Sequence, residues 1–191
     1  MSGAIVIESD SAFAQITPDT TLDPDKSLVT PNTNIGGSPA NIIDGGARRG
    51  VNLFHSFLEF NVSDGQRVSF ASPVGIENIL SRVTGNNPSN ILGTLGVNGG
   101  ANLFLLNPNG IIFGPNAKLD IAGSFLATTA NSLVFKNNSE FSAKNPQTPP
   151  LLTINLRPGL QYGANQSGTI SNTGNLAVGG NLTLAAGNLD L

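Results

Sequence analysis

The chain of 191 residues has no cysteine, a single histidine and few charges, 11% Asp, Glu, Lys and Arg together, against roughly 25% in ordinary soluble domains. Without cysteine there are no disulfides, thiolate metal sites or cysteine nucleophiles. A chain living outside the cell would then be held by backbone ladders and stacking alone. Surfaces short of charge must be built from uncharged polar residues, Asn, Ser and Thr above all. The net charge is −3 and no basic cluster is visible, which argues against nucleic acid and anionic membrane surfaces as partners. No run approaches the roughly 18 apolar residues of a membrane span.

What is present is a succession of short apolar runs between turn signals. In Asn-Leu-Phe-Leu-Leu-Asn-Pro-Asn-Gly-Ile-Ile-Phe-Gly-Pro-Asn, residues 102–116, proline fixes φ near −65° and Asn-Gly tolerates positive φ. Asn107, Pro108, Asn109 and Gly110 therefore read as a tight turn leading into Ile111-Ile112-Phe113, a run so short that the chain must be turning corners. Asn87-Pro88-Ser89-Asn90-Ile91 precedes Asn107-Pro108-Asn109-Gly110-Ile111 by 20 residues, about one rung of a β-solenoid. A shift of 57 residues lays Leu119, Ile121, Gly123, Phe125, Ala127 and Asn131 on Leu176, Val178, Gly180, Leu182, Leu184 and Asn188, close to three rungs of about nineteen.

The pattern divides the chain. Residues 1–14, with Ser11-Ala12-Phe13-Ala14 spaced like a signal-peptidase site, read either as the end of a leader or as a disordered terminus. Residues 15–61 hold short strands with polar turns (Leu28–Pro31, Ile42–Gly46, Leu53–Phe60) and suit a cap over an open solenoid end. Residues 62–141 carry the dense rungs, with a helical turn plausible at Glu77–Arg82 and further rungs at Leu103–Leu106, Phe125–Ala127 and Leu133–Phe135. Phe104, Phe113, Phe125 and Phe135 are expected to stack inside. Three prolines in Asn145–Pro150 cannot sit in an inner rung, so residues 142–166 read as an excursion. Within it Leu151–Leu156 and Leu160–Tyr162 form a hairpin. Residues 167–191 resume the coil and read as part of a longer solenoid. The fold class is all-β, a parallel β-helix with an N-terminal β cap and an extra-helical hairpin.

Chemistry is sparse. Paired carboxylates or a carboxylate-held metal with a nearby base would mark an enzyme, but Asp120, Glu140 and Asp190 are isolated. His55, in an apolar strand, reads as a satisfied cap residue. The Gly-rich run Gly93–Gly100 lacks the lysine of a phosphate loop, and the Gly-Gly pairs lack the aspartate of calcium-binding repeats. No enzyme activity, cofactor or metal is expected.

Asn107–Ile111 with Asn87-Pro88 twenty residues earlier, Gly-Ser-Phe-Leu-Ala-Thr-Thr-Ala at 123–130 and Leu-Gln-Tyr-Gly at 160–163 resemble the haemagglutination-activity domain, the N-terminal secretion domain of filamentous-haemagglutinin-type exoproteins in two-partner secretion, here of cyanobacterial style. The resemblance implies a right-handed β-helix and a secreted or cell-surface protein reached through the periplasm and outer membrane. It also implies a partner, an Omp85-like outer-membrane transporter that recognises this domain and exports the unfolded chain, whose folding outside helps draw out the rest. Asn107, Pro108, Asn109, Gly110 and Ile111, with Asn87 and Pro88, are then the expected recognition and folding motif. A second family motif, Asn-Pro-Asn-Leu, is replaced here by Ser72-Pro73-Val74-Gly75. The expected state is a monomer. The alternative function is an adhesive module that binds surface glycans or cells along a flat solenoid face.

Overall fold

The computed structural model describes residues 15–35, 37–136, 138–148, 159–164 and 168–191. The leader reading of residues 1–14 and the hairpin arm Leu151–Leu156 lie outside them. The described chain forms strands and no helix. The first part contributes β1 (Ile16–Pro18), β2 (Ser27–Ile35), β3 (Ser38–Gly45), β4 (Ala47–Arg49), β5 (Asn52–Phe60) and β6 (Arg67–Ala71). The middle contributes β7 (Asn78–Val83), β8 (Ser89–Ile91), β9 (Thr94–Asn98), β10 (Asn102–Leu106), β11 (Ile111–Phe113), β12 (Lys118–Asp120) and β13 (Phe125–Thr128). Then come β14 (Ser132–Val134), β15 (Glu140–Ser142), β16 (Gly159–Gln161), β17 (Thr169–Asn172), β18 (Leu182–Ala185) and β19 (Asn188–Asp190).

Three parallel stacks make the walls of a β-solenoid. The first runs β5-β7-β10-β13-β18, the second β8-β11-β17-β19, and the third β3-β6-β9-β12. Equivalent side chains lie in line: Leu53, Ile79, Leu103, Phe125 and Leu182 share one row, and Val68, Leu95 and Leu119 another. Burial of these rows gives one central core, in which Leu119 is half-buried, while Leu182 at the end of its row is exposed. Alternation with period two sends the neighbours of the first row outward, yet Phe54 and Leu80 are also buried and Phe104 half-buried, in a second apolar cluster on the outer face. That face is covered by Leu133, Phe135 and Phe141 from a small antiparallel sheet, β15-β14-β16, which stands outside the coil. A wall covered on both sides needs apolar residues on both faces, hence the run Leu103-Phe104-Leu105-Leu106.

Several expectations are corrected. Rung length is not constant: the offset is 27 at Val68–Leu95, 22 at Leu103–Phe125 and 19 at Thr169–Asn188, so the expected length of about nineteen fits the last coil and the earlier ones are longer. The 57-residue shift is one rung and not three, because β13 and β18 are direct neighbours with Phe125 opposite Leu182 and Ala127 opposite Leu184. The additional length is the excursion, which leaves the coil and returns without disturbing register. Glu77–Arg82 holds a strand beginning at Asn78 in place of a helical turn, since parallel partners on both sides claim its backbone. Leu133 belongs to the antiparallel sheet, not to a rung. Of the four phenylalanines, Phe113 and Phe125 do stack inside, edge-to-face at 6.2 Å, whereas Phe104 and Phe135 belong to the outer cluster, where Phe135 meets Phe54 at 6.5 Å.

At the near end, β5 would present an unpaired edge. Two antiparallel strands close it in halves: β4 along Asn52–Phe54 and β1 along Phe57–Phe60. The β2–β3 hairpin extends the third wall, β3 running parallel to β6. The edge that remains is two strands of three residues each, a poor template for another chain.

Candidate functional site

Proline in second place and Asn-Gly behind it close the chain on itself between β10 and β11: Gly110 N–H donates to Asn107 O at 3.2 Å. Asn109 N–H donates to Asn107 Oδ1 at 3.0 Å, an Asx turn laid over the backbone turn. The Asn107 amide hydrogens then reach the previous coil, at Asn87 O (3.1 Å) and Ser89 Oγ (3.0 Å). Its backbone N–H reaches the next one, donating to Thr128 O at 3.0 Å. Asn109 Nδ2 donates to Gly85 O at 2.7 Å, and its Oδ1 accepts from Lys144 of the excursion at 3.1 Å. Gly110 has φ +124° and lies so close to Thr169 O that a Cβ would stand 3.0 Å from it, so no other residue fits there without strain.

The turn is thus a clasp between three levels of the coil, and most of it is inside. Asn107, Pro108, Gly110 and Ile111 are buried, Asn109 and Pro88 half-buried, and Asn87 exposed, donating to Glu59 Oε1 at 2.7 Å. The two expected members Asn87 and Asn107 do meet. Ser89 faces Ile111 in register, an offset of 22 residues against the 20 of the two prolines and the 24 of Arg82 and Leu106, so the Asn107 turn is two residues shorter than its predecessor and its proline stands two residues further from the strand that follows. The turn that stands where the second family motif would be carries Val74, 96% exposed, with Arg48 Nη2 on its carbonyl at 3.2 Å.

Two constellations escaped the sequence reading. One is a ladder at the start of the first wall. Asn102 Nδ2 donates to Asn78 Oδ1 and Asn78 Nδ2 to Asn52 Oδ1, both at 3.0 Å, while Asn102 Oδ1 accepts the Ser124 N–H at 2.8 Å. The Ser124 hydroxyl in turn accepts from Asn181 N–H at 3.1 Å. Its signal was legible: Asn-Leu-Phe, Asn-Ile-Leu, Asn-Leu-Phe, Ser-Phe-Leu and Asn-Leu-Thr begin at residues 52, 78, 102, 124 and 181. The other is Arg82, wholly buried on the outer face. It donates to Ser56 Oγ (2.9 Å), Thr21 Oγ1 (2.8 Å), Ser142 O (2.9 Å) and Gln147 O (3.1 Å). Burial lowers its pKa to about 10, opposed by the charge of Asp19. At Asp19, burial raises the carboxyl pKa, but hydrogen bonds from Thr84, Thr21 and Ser56 outweigh this and leave it lowered.

His55 lies in the core between Phe57 and Phe70, its Nδ1 3.0 Å from Ser27 Oγ. Burial pushes its pKa down to about 3, so it is neutral at any ordinary pH. Asp120 pairs with Arg67. Among the described residues no group of three or more His, Asp or Glu is placed to hold a metal ion.

Comparison with known proteins agrees with this architecture. Over 80 residues, 42% of the chain, the sequence is 34% identical to a heme/hemopexin-binding protein of Haemophilus influenzae, of whose length this segment is 9%. Residues 14–191 match the family model of the TPS secretion domain, nearly the whole chain. With its stacked parallel walls, the chain belongs to the TPS secretion domain family, and it is a protein exported by two-partner secretion, to the cell surface or beyond.

Proposed function

We propose that this domain addresses a larger exoprotein to a cognate outer-membrane transporter of the Omp85-like class and that its coils nucleate β-helix folding once outside. The observation that carries the reading is the family match across residues 14–191 on a β-solenoid whose clasp turn holds three coil levels together. In this reading Asn107, Pro108, Asn109, Gly110 and Ile111 act twice. Before folding they are part of an accessible segment that the transporter's periplasmic domains contact. After folding Asn107, Pro108, Gly110 and Ile111 are buried, so that closing the turn withdraws them from the partner and favours release outward.

Export of Asn107→Ala and Asn109→Ala with the cognate transporter tests this, run beside urea unfolding of the purified variants. Expected is an export loss for Asn109→Ala larger than its modest loss of stability accounts for. Normal export together with normal folding of both variants removes the motif's role. A pull-down with the transporter's periplasmic domains, set against a glycan array, separates the secretion reading from a surface-binding one.

A further inference from the structure

Arg82 is a positive charge at the border of a large apolar surface, in an outward row that also holds Ser56, Leu106 and Thr128. It projects from β7 on the outward side, in register with Ser56 of β5 and Leu106 of β10. Its neighbours on that face, Phe54, Leu80 and Leu106, are all buried. An apolar face without it could take almost any short apolar strand, and this chain supplies many of similar length, β8, β11 and β13 among them. Hydrophobic burial is non-directional. Nothing in the apolar contacts alone selects residues 133–147 as the cover.

The guanidinium does select. Before the cover docks, water hydrates it. A segment that lands there must strip that water and replace it with acceptors, or leave a buried cation short of partners, at a cost of several kcal/mol. The excursion meets the requirement with the Ser142 and Gln147 carbonyls, and it adds the Phe141 ring, whose centroid is 4.4 Å from the guanidinium carbon. From the other side the cap brings Thr21 and the coil Ser56, whose hydroxyls also donate to Asp19, both at 2.7 Å. These acceptors come from positions 61 and 26 residues before Arg82 and 60 and 65 after it. No short strand of the coil reproduces that set.

We infer that Arg82 is a specificity residue, which reserves the outer apolar face for the excursion and turns away other apolar strands, whether from this chain or from a second copy. It contributes to stability as well, because its loss alone leaves the Asp19 carboxylate and the Ser142 and Gln147 carbonyls buried without their partner, so selection has to be read apart from stability. The inference does not depend on the transporter reading.

The test is refolding of the whole 191-residue chain by dilution from urea at several protein concentrations, followed by size-exclusion chromatography. Arg82→Met, which keeps the bulk and removes the charge, is expected to unfold at lower urea and to form several-fold more oligomer than both the wild type and Leu80→Ala, a variant of the same face that is also destabilised but keeps the charge. Arg82→Lys keeps the charge and loses the fork of donors, so it is expected to stay monomeric with a lower midpoint. A monomer yield from Arg82→Met as high as that of the wild type or of Leu80→Ala overturns the inference whatever its stability. Should the Met variant not fold, the Lys variant decides: wild-type monomer yield supports the role and extensive oligomer overturns it.

Discussion

Both amide hydrogens of Asn107 are donated across to the previous coil, and its Oδ1 accepts from Asn109 twice over, from the backbone N–H and from Nδ2. Truncation to alanine leaves Ser89 and the Asn109 N–H short of partners inside the protein, for which about 1–3 kcal/mol is the usual cost. Asn107→Ala is therefore expected to lower stability by that amount in urea titration, and half-buried Asn109→Ala by less. Gly110→Ala combines a strained φ with a contact on Thr169 O and is expected to cost more than about 1 kcal/mol. His55 sets a pH dependence. Its folded pKa, about 3, lies below the ordinary imidazole value of 6.5, so the neutral ring contributes stability in full above the unfolded value, and that contribution drains away as pH falls from 6.5 toward 3. Asp19, also depressed, adds a loss only below its ordinary value of about 3.9. Urea midpoints should thus fall steadily between pH 7 and pH 4, and His55→Asn should flatten that slope.

The Asn ladder has a direction. The Ser124 N–H holds Asn102 Oδ1 as an acceptor, which turns Nδ2 toward Asn78, and Asn78 repeats the orientation toward Asn52. Asn78→Asp removes the donor and sets two acceptors face to face in a buried site. It should unfold at lower urea than Asn78→Ala at pH 7, and the gap should close near the carboxyl pKa of about 3.9. The same ladder shows what the sequence disclosed and what it hid. Turn chemistry at Asn107–Gly110 and the row through Phe125 and Leu182 were readable, because both rest on local rules: positive φ at Asn-Gly and a period of two. The rung length was not. The prolines at 88 and 108 sit at different points of their turns, and an excursion of no fixed length separates β13 from β18. Strand β7 carries in Arg82 a charge where a buried strand should have none. Its partners, 26 to 65 residues away, leave no trace in local sequence.

For the whole molecule the scarcity of charge has a measurable result. Two ion pairs occur among the described residues, Arg49–Asp25 and Arg67–Asp120, with carboxylates 46% and 59% exposed, and exposed pairs of this kind contribute about 0–1 kcal/mol. The urea midpoint should hardly change between low salt and about 0.5 M sodium chloride, where exposed pairs are screened. Backbone pairing and burial carry the column, and those are insensitive to ionic strength. The sealing of β5 by β1 and β4 gives the first wall a blunt start, and β18 is its last strand among the described residues. Butt-to-butt joining of two copies through main-chain bonds is disfavoured, because the edge there is reduced to the three-residue strands β1 and β4. A further parallel strand of the first wall finds its template beside Leu182–Ala185, so this scaffold lengthens in one direction, like growth on one end of a filament.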